Sequence, residues 1–532
     1  IKNNFIGALS GDAITTGNRN VAVGTQALSS DTLGSRSTAI GQGALFTQNF
    51  TTATDTYNVA VGYEAGVSVT TGDSNTLIGG LAGDALTIGK NSVAVGKGAL
   101  GSDVAGKESV AVGNGALFAQ NFSTATNSFN VAVGSDAGVA ITTGIQNTLI
   151  GGLAGDALTD ADNNIAIGAS ALTSDTLGSK STAIGTGALA TQNFTTATDS
   201  LNTAVGYFAG LAVTTGTNNT LVGGLAGDAI TTGGSNTAVG QASLTTLTTA
   251  SFNTAMGLNS GVVLTTGADN TLIGVSSGGS LTTGTLNVAV GRNALSSGAT
   301  TNKNVAIGNN TLQSVSASSN VDSLNTAVGF SAGGAVTTGT NNTLIGGSAG
   351  SSLTEGTVNT FVGFGSGNEM TTGSKNVILG SYDGNGGGLD IRTASNNIVL
   401  SDGDGNPRLF CRTNGQLHLF AQTAGSGNST LKYNFNDGAV TFDTSSARFK
   451  ENIRDSEYGL AEVLQLQSRQ YEFIADGQPD IGLIAEEVNP IIPELVGKDD
   501  QDRPTSVAYD RFVSVLVKAI QELEARIATL EG

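Results

Sequence analysis

A chain of 532 residues could hold several globular domains, but its 77 glycines, 5 prolines and net charge of −19 narrow the choice. Collagen needs glycine at every third position with much proline, and duplex nucleic acid or an anionic membrane rewards clustered Lys and Arg, so all three are excluded. Cys411 and His418 are each the only residue of their kind, which leaves no intrachain disulfide and no Cys/His cluster for a metal. Cys411 reads as a small apolar filler. No cofactor is expected, and no apolar run approaches the roughly 18 residues of a membrane span. The chain starts at Ile1 without a charged-then-apolar leader, so the native start is expected to lie upstream.

From Asn20-Val21-Ala22-Val23-Gly24 to Asn376-Val377-Ile378-Leu379-Gly380 one phrase recurs: Asn or Ser, any residue, two apolar residues, glycine. Its closing glycines advance along the numbering by 17, as from Gly24 to Gly41, or by 21, as from Gly41 to Gly62. A unit this small can bury an apolar face only by stacking on copies of itself. Each phrase reads as a short strand rich in β-branched residues, as in Asn75-Thr76-Leu77-Ile78-Gly79. Gly/Asn/Ser/Thr clusters such as Thr71-Gly72-Asp73-Ser74 supply the turns. A second apolar segment, such as Ala65-Gly66-Val67-Ser68-Val69, reads as a second strand. One unit is then one coil of an elongated, all-β parallel β-solenoid or β-roll over residues 1–380, with coils ~4.8 Å apart and a shaft of roughly 95 Å.

Four of the intervals are of the longer kind, ending at Gly62, Gly134, Gly206 and Gly329. The first three contain Gln48-Asn49-Phe50, Gln120-Asn121-Phe122 and Gln192-Asn193-Phe194, at one position of a super-repeat that runs from Gly24 to Gly96, Gly168 and Gly240. Four extra residues read as a loop, and loops in register on a solenoid share a face. These nine residues are therefore candidates for a ligand-contact stripe; the alternative is a tolerated insertion with a packed phenylalanine. The recurring Thr-Thr-Gly, as in Thr142-Thr143-Gly144, needs only strand and turn geometry.

Residues 381–444 lose the rhythm and read as a β neck of short strands split by glycine turns, including Asn397-Ile398-Val399-Leu400, Arg408-Leu409-Phe410, His418-Leu419-Phe420 and Ala439-Val440-Thr441-Phe442. From Ser445 the composition jumps, with 9 Lys/Arg and 17 Asp/Glu in residues 445–532, which marks a domain boundary near 444. In the terminal stretch Val513, Leu516, Ile520, Leu523, Ile527 and Leu530 follow a 3-4-3-4-3 spacing, an apolar helical seam. Such a seam packs either against other copies of the helix or against the rest of its own domain.

Four ordered blocks in this last segment carry a resemblance. They are Ser445-Ser446-Ala447-Arg448-Phe449-Lys450-Glu451-Asn452-Ile453; Gly459-Leu460 with Val463 and Leu466; Ile481-Gly482-Leu483-Ile484-Ala485-Glu486-Glu487-Val488 with Pro493, Leu495 and Val496; and Val507-Ala508-Tyr509 leading into the helix. Together they resemble the C-terminal intramolecular chaperone, of endosialidase type, that ends many phage tail spikes and tail fibres. Ser446 departs from the aspartate usual there. The repeats are also similar to the head repeats of trimeric autotransporter adhesins.

The chaperone resemblance implies a homotrimeric fibre of the virion tail, extracellular, whose partners are other virion tail proteins and a host-surface glycan or protein receptor. It implies an α+β terminal domain, 445–532, that cuts itself off at the Thr444–Ser445 bond, with Ser445 as nucleophile and Lys450 as base. A serine hydroxyl must lose its proton to attack an acyl carbon, and a lysine takes that proton only when burial or a nearby cation lowers its pKa. The alternative is a cellular trimeric surface adhesin with a retained trimerisation domain. That class normally ends in strands forming an outer-membrane barrel, whereas this chain ends in a charged helix. Glycoside hydrolysis in the shaft would need two juxtaposed carboxylates; Asp84, Asp156 and Asp228 recur once per super-repeat, which suits structure better than catalysis.

Overall fold

In the computed structural model, residues 2–316, 321–419, 431–433, 440–442, 450–474, 477–499 and 501–531 are described. The chain divides into two compact units, Ile1–Ala421 and Gln422–Gly532.

The first unit is a parallel β-solenoid. Three-residue strands one coil apart pair in parallel and in register, as Val131–Val133 does with Thr148–Ile150, and that strand with Ile165–Ile167. They join one 25-stranded sheet that opens at Asn4–Ile6. The stack continues past Gly380, where Val377–Leu379 pairs in parallel with Ile398–Ser401; only then do Pro407–Cys411 and Leu417–Leu419 add on antiparallel. Ser401 takes the place of the closing glycine in that coil, which is why the glycine rhythm stops one coil early.

In each strand the middle residue points inward and the outer two point away. The inward residue is alanine or leucine in most coils, with Ala132, Leu149 and Ala166 all 0 % exposed. Just before each parallel strand of the main sheet from Val21–Val23 to Ile398–Ser401 lies a buried asparagine, replaced by a buried serine at Ser37, Ser92, Ser109 and Ser181. Asn75 donates its backbone N–H to the Asn58 Oδ1 (2.9 Å) and its Nδ2 to the Gly89 carbonyl (2.9 Å), and the pattern returns at Asn147, Asn253 and Asn359. A buried amide with both ends satisfied costs little, and the ladder supplies partners to corner groups that would otherwise be orphaned.

The second apolar segment is not a strand. Over Gly62–Val69 the chain makes successive tight turns, with Glu64 (φ 53°) and Gly66 (φ 60°) left-handed. Its bonds go to the next coil, Gly66 N–H to Ala82 O (2.9 Å) and Ser68 N–H to Asp84 O (3.2 Å). Each coil is thus one strand facing one stacked turn, and Ala65 and Val69 are buried as strand residues would be. The apolar pattern reports burial, while backbone conformation follows from the inter-coil bonds. The first threonine of each Thr-Thr-Gly likewise serves the stack, as Thr142 Oγ1 donates to Thr159 O (3.2 Å).

The closing glycine is where the coils crowd most. Gly151 has φ 138°, a conformation that L side chains avoid, and a Cβ there would run into the Gly168 carbonyl. Its neighbour Gly152 has no such strain, and a Cβ there meets only the Ser135 oxygen at 4.0 Å. Gly151→Ala is therefore expected to destabilise the shaft locally by about 2 kcal/mol or more, and Gly152→Ala by less than about 0.5 kcal/mol. Limited proteolysis of the two variants side by side checks this difference.

Candidate functional site

The four long coils come first among the sequence candidates. The extra residues do not dangle as loops but build a second, two-residue parallel ladder outside the main sheet. Gly34–Ser35 pairs with Thr54–Asp55, Gly106–Lys107 with Thr126–Asn127, Gly178–Ser179 with Thr198–Asp199, and Thr301–Asn302 with Val321–Asp322. Ion pairs tie three of these ridges to the coil before: Arg36–Asp55 (2.9 Å), Lys180–Asp199 (2.5 Å) and Lys303–Asp322 (2.6 Å). In the second ridge the equivalent residues are Glu108 and Asn127.

Of the nine contact candidates, six lie inside. Gln48, Gln120 and Gln192 are 0 % exposed, and Phe50, Phe122 and Phe194 are 6 % exposed. Gln48 Nε2 donates to Asp31 Oδ2 (2.6 Å) and Ser37 Oγ (2.9 Å), while its Oε1 accepts from Asn58 Nδ2 (2.8 Å). Gln120 does the same with Asp103, Ser109 and Asn130, and Gln192 with Asp175, Ser181 and Asn202. The aspartate also accepts from two backbone amides, Gly34 and Phe50 in the first copy. Burial pushes the Asp103 carboxyl up, against the hydrogen bonds from Gln120 and these amides. With every polar atom of the glutamine engaged, the contact expectation narrows to Asn49, Asn121 and Asn193, whose side chains are exposed. The aspartates were missed in the sequence, although each stands one coil before its glutamine, Asp31 before Gln48, Asp103 before Gln120 and Asp175 before Gln192, and returns once per super-repeat.

Between the first two ridges runs an open groove of about 480 Å³, lined by Phe50, Thr51, Thr52, Thr54, Ile88, Lys107 and Ala125 and by the Asp73–Lys90 ion pair (2.5 Å). Thr71 completes it.

The second unit holds the other candidates. Its described elements are the antiparallel pair Leu431–Tyr433/Val440–Phe442, helix α1 (Leu460–Val463), the hairpin Arg469–Glu472/Pro479–Gly482, helix α2 (Ala485–Val488), the 3-10 turn Pro493–Leu495, the hairpin Val496–Lys498/Pro504–Val507 and helix α3 (Tyr509–Glu531). Val488, Ile492, Leu495 and Val515 form the core, with Phe512, Leu483, Val463 and Leu466 against it. Two glycines mark close contacts that tie its elements together. A Cβ on Gly459 would sit 2.5 Å from Glu522 Oε2, the oxygen that accepts the Leu460 N–H (2.8 Å) and ties α1 to α3. A Cβ on Gly482 would strike the Tyr509 hydroxyl, which accepts the Leu483 N–H (2.6 Å). Arg469 grips Glu487 with two bonds (3.0 and 2.8 Å) and holds its carboxyl below the usual range.

Lys450 is exposed on the edge of an open cleft of about 660 Å³. Arg454 and Arg511 share the cleft with Asp455, Glu457 and Glu494, and Ile492, Leu495 and Val515 also line it. A hydrogen bond to Glu494 raises the Tyr458 phenol above its ordinary value. Thr444 and Ser445 lie outside the described residues. On α3 the side that packs inward carries Val515 and Ala519, whereas the seam residues Val513, Ile520, Leu523, Ile527 and Leu530 are 41–87 % exposed and Leu516 36 %. The seam therefore does not serve the core of its own unit. Among the described residues no group of three or more His, Cys, Asp or Glu is placed to hold a metal, and no helix is long and apolar enough to cross a membrane.

Residues 445–497 match the family model described as the chaperone of endosialidase. Neither the curated proteins nor the solved structures contain a match.

Two outcomes follow from this geometry. Asp31→Ala strips acceptors from Gln48, Gly34 and Phe50 and should cost about 1–3 kcal/mol of local stability, read as faster hydrogen exchange at the Gly34 and Phe50 amides. Gly459→Ala should displace Glu522 and cost about 1.5–3 kcal/mol, read as faster exchange at the Leu460 amide while the shaft amides are unchanged.

Proposed function

We propose that this protein is a trimeric tail-fibre or tail-spike protein of a phage, whose shaft meets the host surface and whose C-terminal unit assembles the trimer and then cuts itself off. The observation that carries the reading is the union in one chain of an endosialidase-type chaperone segment and a long β-solenoid. Near-identical coils offer many wrong registers of similar energy, and parallel pairing of distant segments folds slowly. A compact unit that gathers three chains at one end removes that ambiguity, and the bare seam of α3 is suited to the task.

Receptor contact is assigned to the ridged flank, where Asn49, Asn121 and Asn193 and the groove, with its threonines, Lys107 and the Asp73–Lys90 pair, offer donors and acceptors to a glycan or a protein. The setting is the extracellular virion tail, with other tail proteins as neighbours. For the cleavage, the Ser445 Oγ attacks the Thr444 carbonyl carbon as Lys450 takes the hydroxyl proton. The C–N bond breaks, the proton passes to the departing Ser445 nitrogen, and an ester links Thr444 to the serine oxygen. Water then hydrolyses the ester, freeing the Thr444 carboxylate and residues 445–532. Removal of the assembly unit leaves the shaft trapped behind its unfolding barrier.

Intact mass of the purified protein tests the reading. Wild type is expected to split after Thr444, with Ser445→Ala and Lys450→Ala remaining whole. A wild-type chain that stays at full length overturns the self-processing step.

A further inference from the structure

The groove between the first two ridges differs from its counterparts along the shaft. Its column of Asp73, Lys90 and Lys107 becomes Ile145, Asp162 and Ser179 one super-repeat later and Thr217, Gly234 and Ser251 two later. At the last of these places the stack has a use for serine. The Oγ of Ser35, Ser179 and Ser251 accepts a backbone N–H from the coil before, that of Asn18, Asp162 and Gly234, each at 3.0 Å. An ammonium donates and cannot accept, so Lys107 gives up a bond that joins coil to coil elsewhere. Ion pairing does not replace it. Arg36, Lys180 and Lys303 stand one position further on beside the other three ridges and each meets a ridge aspartate, whereas Lys107 has no ion-pair partner among the described residues. The Lys107 backbone is held in the outer ladder with Thr126–Asn127, its carbonyl accepting the Ser128 N–H (3.1 Å), and its side chain lines the groove.

We propose that this groove binds an anionic glycan and that Lys107 is the charge that selects it; the proposal deepens the receptor-contact reading above and rests on it. Asp73 engages Lys90 (2.5 Å), which leaves the Lys107 ammonium to a charge-assisted hydrogen bond with an acidic group on the ligand. The exposed hydroxyls of Thr51, Thr52 and Thr71 can trade hydrogen bonds with sugar hydroxyls, and Ile88, 39 % exposed, gives the C–H face of a sugar ring an aliphatic contact. This mixture of one cation, several neutral hydroxyls and one apolar side chain fits an acidic sugar chain better than an acidic peptide, whose carboxylates would ask for more than one cation. The ridges stand four coil rises apart, ~19 Å, so the ligand is a stretch of oligosaccharide rather than a single sugar. Elsewhere a chain of net charge −19 repels anions. The stretch between the second and third ridges does so directly, with Asp160 and Asp162 where the first groove has Ile88 and Lys90, and with Thr143 Oγ1 donating to Asp160 (2.6 Å). The super-repeat therefore builds one such groove and not a row of them.

The experiment probes the full chain on a panel of immobilised oligosaccharides, neutral and carboxylated, beside a polyglutamate surface. Lys107→Ser restores the serine of the other super-repeats and so keeps the stack, while Lys375→Gln removes an exposed cation beyond the fourth ridge. Retention on the carboxylated sugars is expected, falling about fivefold or more in Lys107→Ser, whose melting temperature stays at or above that of wild type, and unchanged in Lys375→Gln. Neutral sugars held as strongly as carboxylated ones, with Lys107→Ser without effect and Thr51→Ala with Thr52→Ala weakening both, overturn the anionic choice and leave the receptor-contact reading standing. Sugar binding that neither variant weakens lies off the ridged flank and overturns both. Polyglutamate held as tightly as the carboxylated sugars overturns the glycan, and a panel on which nothing is retained overturns the proposal.

Discussion

The shaft depends on how closely one coil can lie on the next. At the end of each main-sheet strand from Val21–Val23 to Thr360–Val362 the backbone turns with a φ near 129–146°, and the glycine there sits against the carbonyl of the next closing glycine. A side chain would have to occupy space already held by peptide groups. Glycine is thus what lets the coils approach to strand-pairing distance, and the in-register ladder, the buried alanine row and the asparagine ladder all follow from that approach. Glycine lacks a side chain to hold the corner in place. The asparagine at the opening of most of these strands supplies the missing tie, as Asn75 donates its backbone N–H to the coil before and its side-chain amide N–H to the coil after.

A structure built this way is regular along its length, and regularity is both its strength and its hazard. Every coil is stabilised by its neighbours in the same manner, so nothing within a single short coil identifies its place in the stack. The ridges introduce position. Three share the super-repeat and the same Asp–Gln–Ser–Asn network, but the fourth does not: Gly298 and Val315 stand where the others have aspartate and glutamine. The fourth also falls outside the super-repeat period, with Gly206 and Gly329 ending successive ridges. A chain slid along its copies by one super-repeat would therefore leave ridges unmatched.

The proposed functions fall to the two units on the same physical grounds. The solenoid presents ordered side chains at fixed spacing and buries its own hydrogen-bonding groups, which suits repeated contact. The C-terminal unit has a small core of Val488, Ile492, Leu495 and Val515 and leaves a long helix with an apolar side uncovered. A small core with an exposed seam suits a unit whose role is to bring chains together.

How much of this was legible in the sequence can be judged residue by residue. Spacing alone determined the stacked coils, the strand at each Asn-x-apolar-apolar-Gly phrase and the position of the long coils, because a periodic backbone demands a periodic sequence. The blocks around Ser445, Gly459 and Ile481 likewise fall within the matched segment 445–497, and Gly459, Gly482 and Tyr509 prove to be points of close contact. Only the tertiary structure decided that Ala65–Val69 is a stacked turn, since burial gives strands and turns the same apolar pattern. It alone also decided that Gln48, Gln120 and Gln192 are sealed inside: an amide reads the same in sequence whether its partners are water or a buried aspartate one coil away. The direction each side chain faces depends on which coil lies beside it, and that is a property of the folded stack.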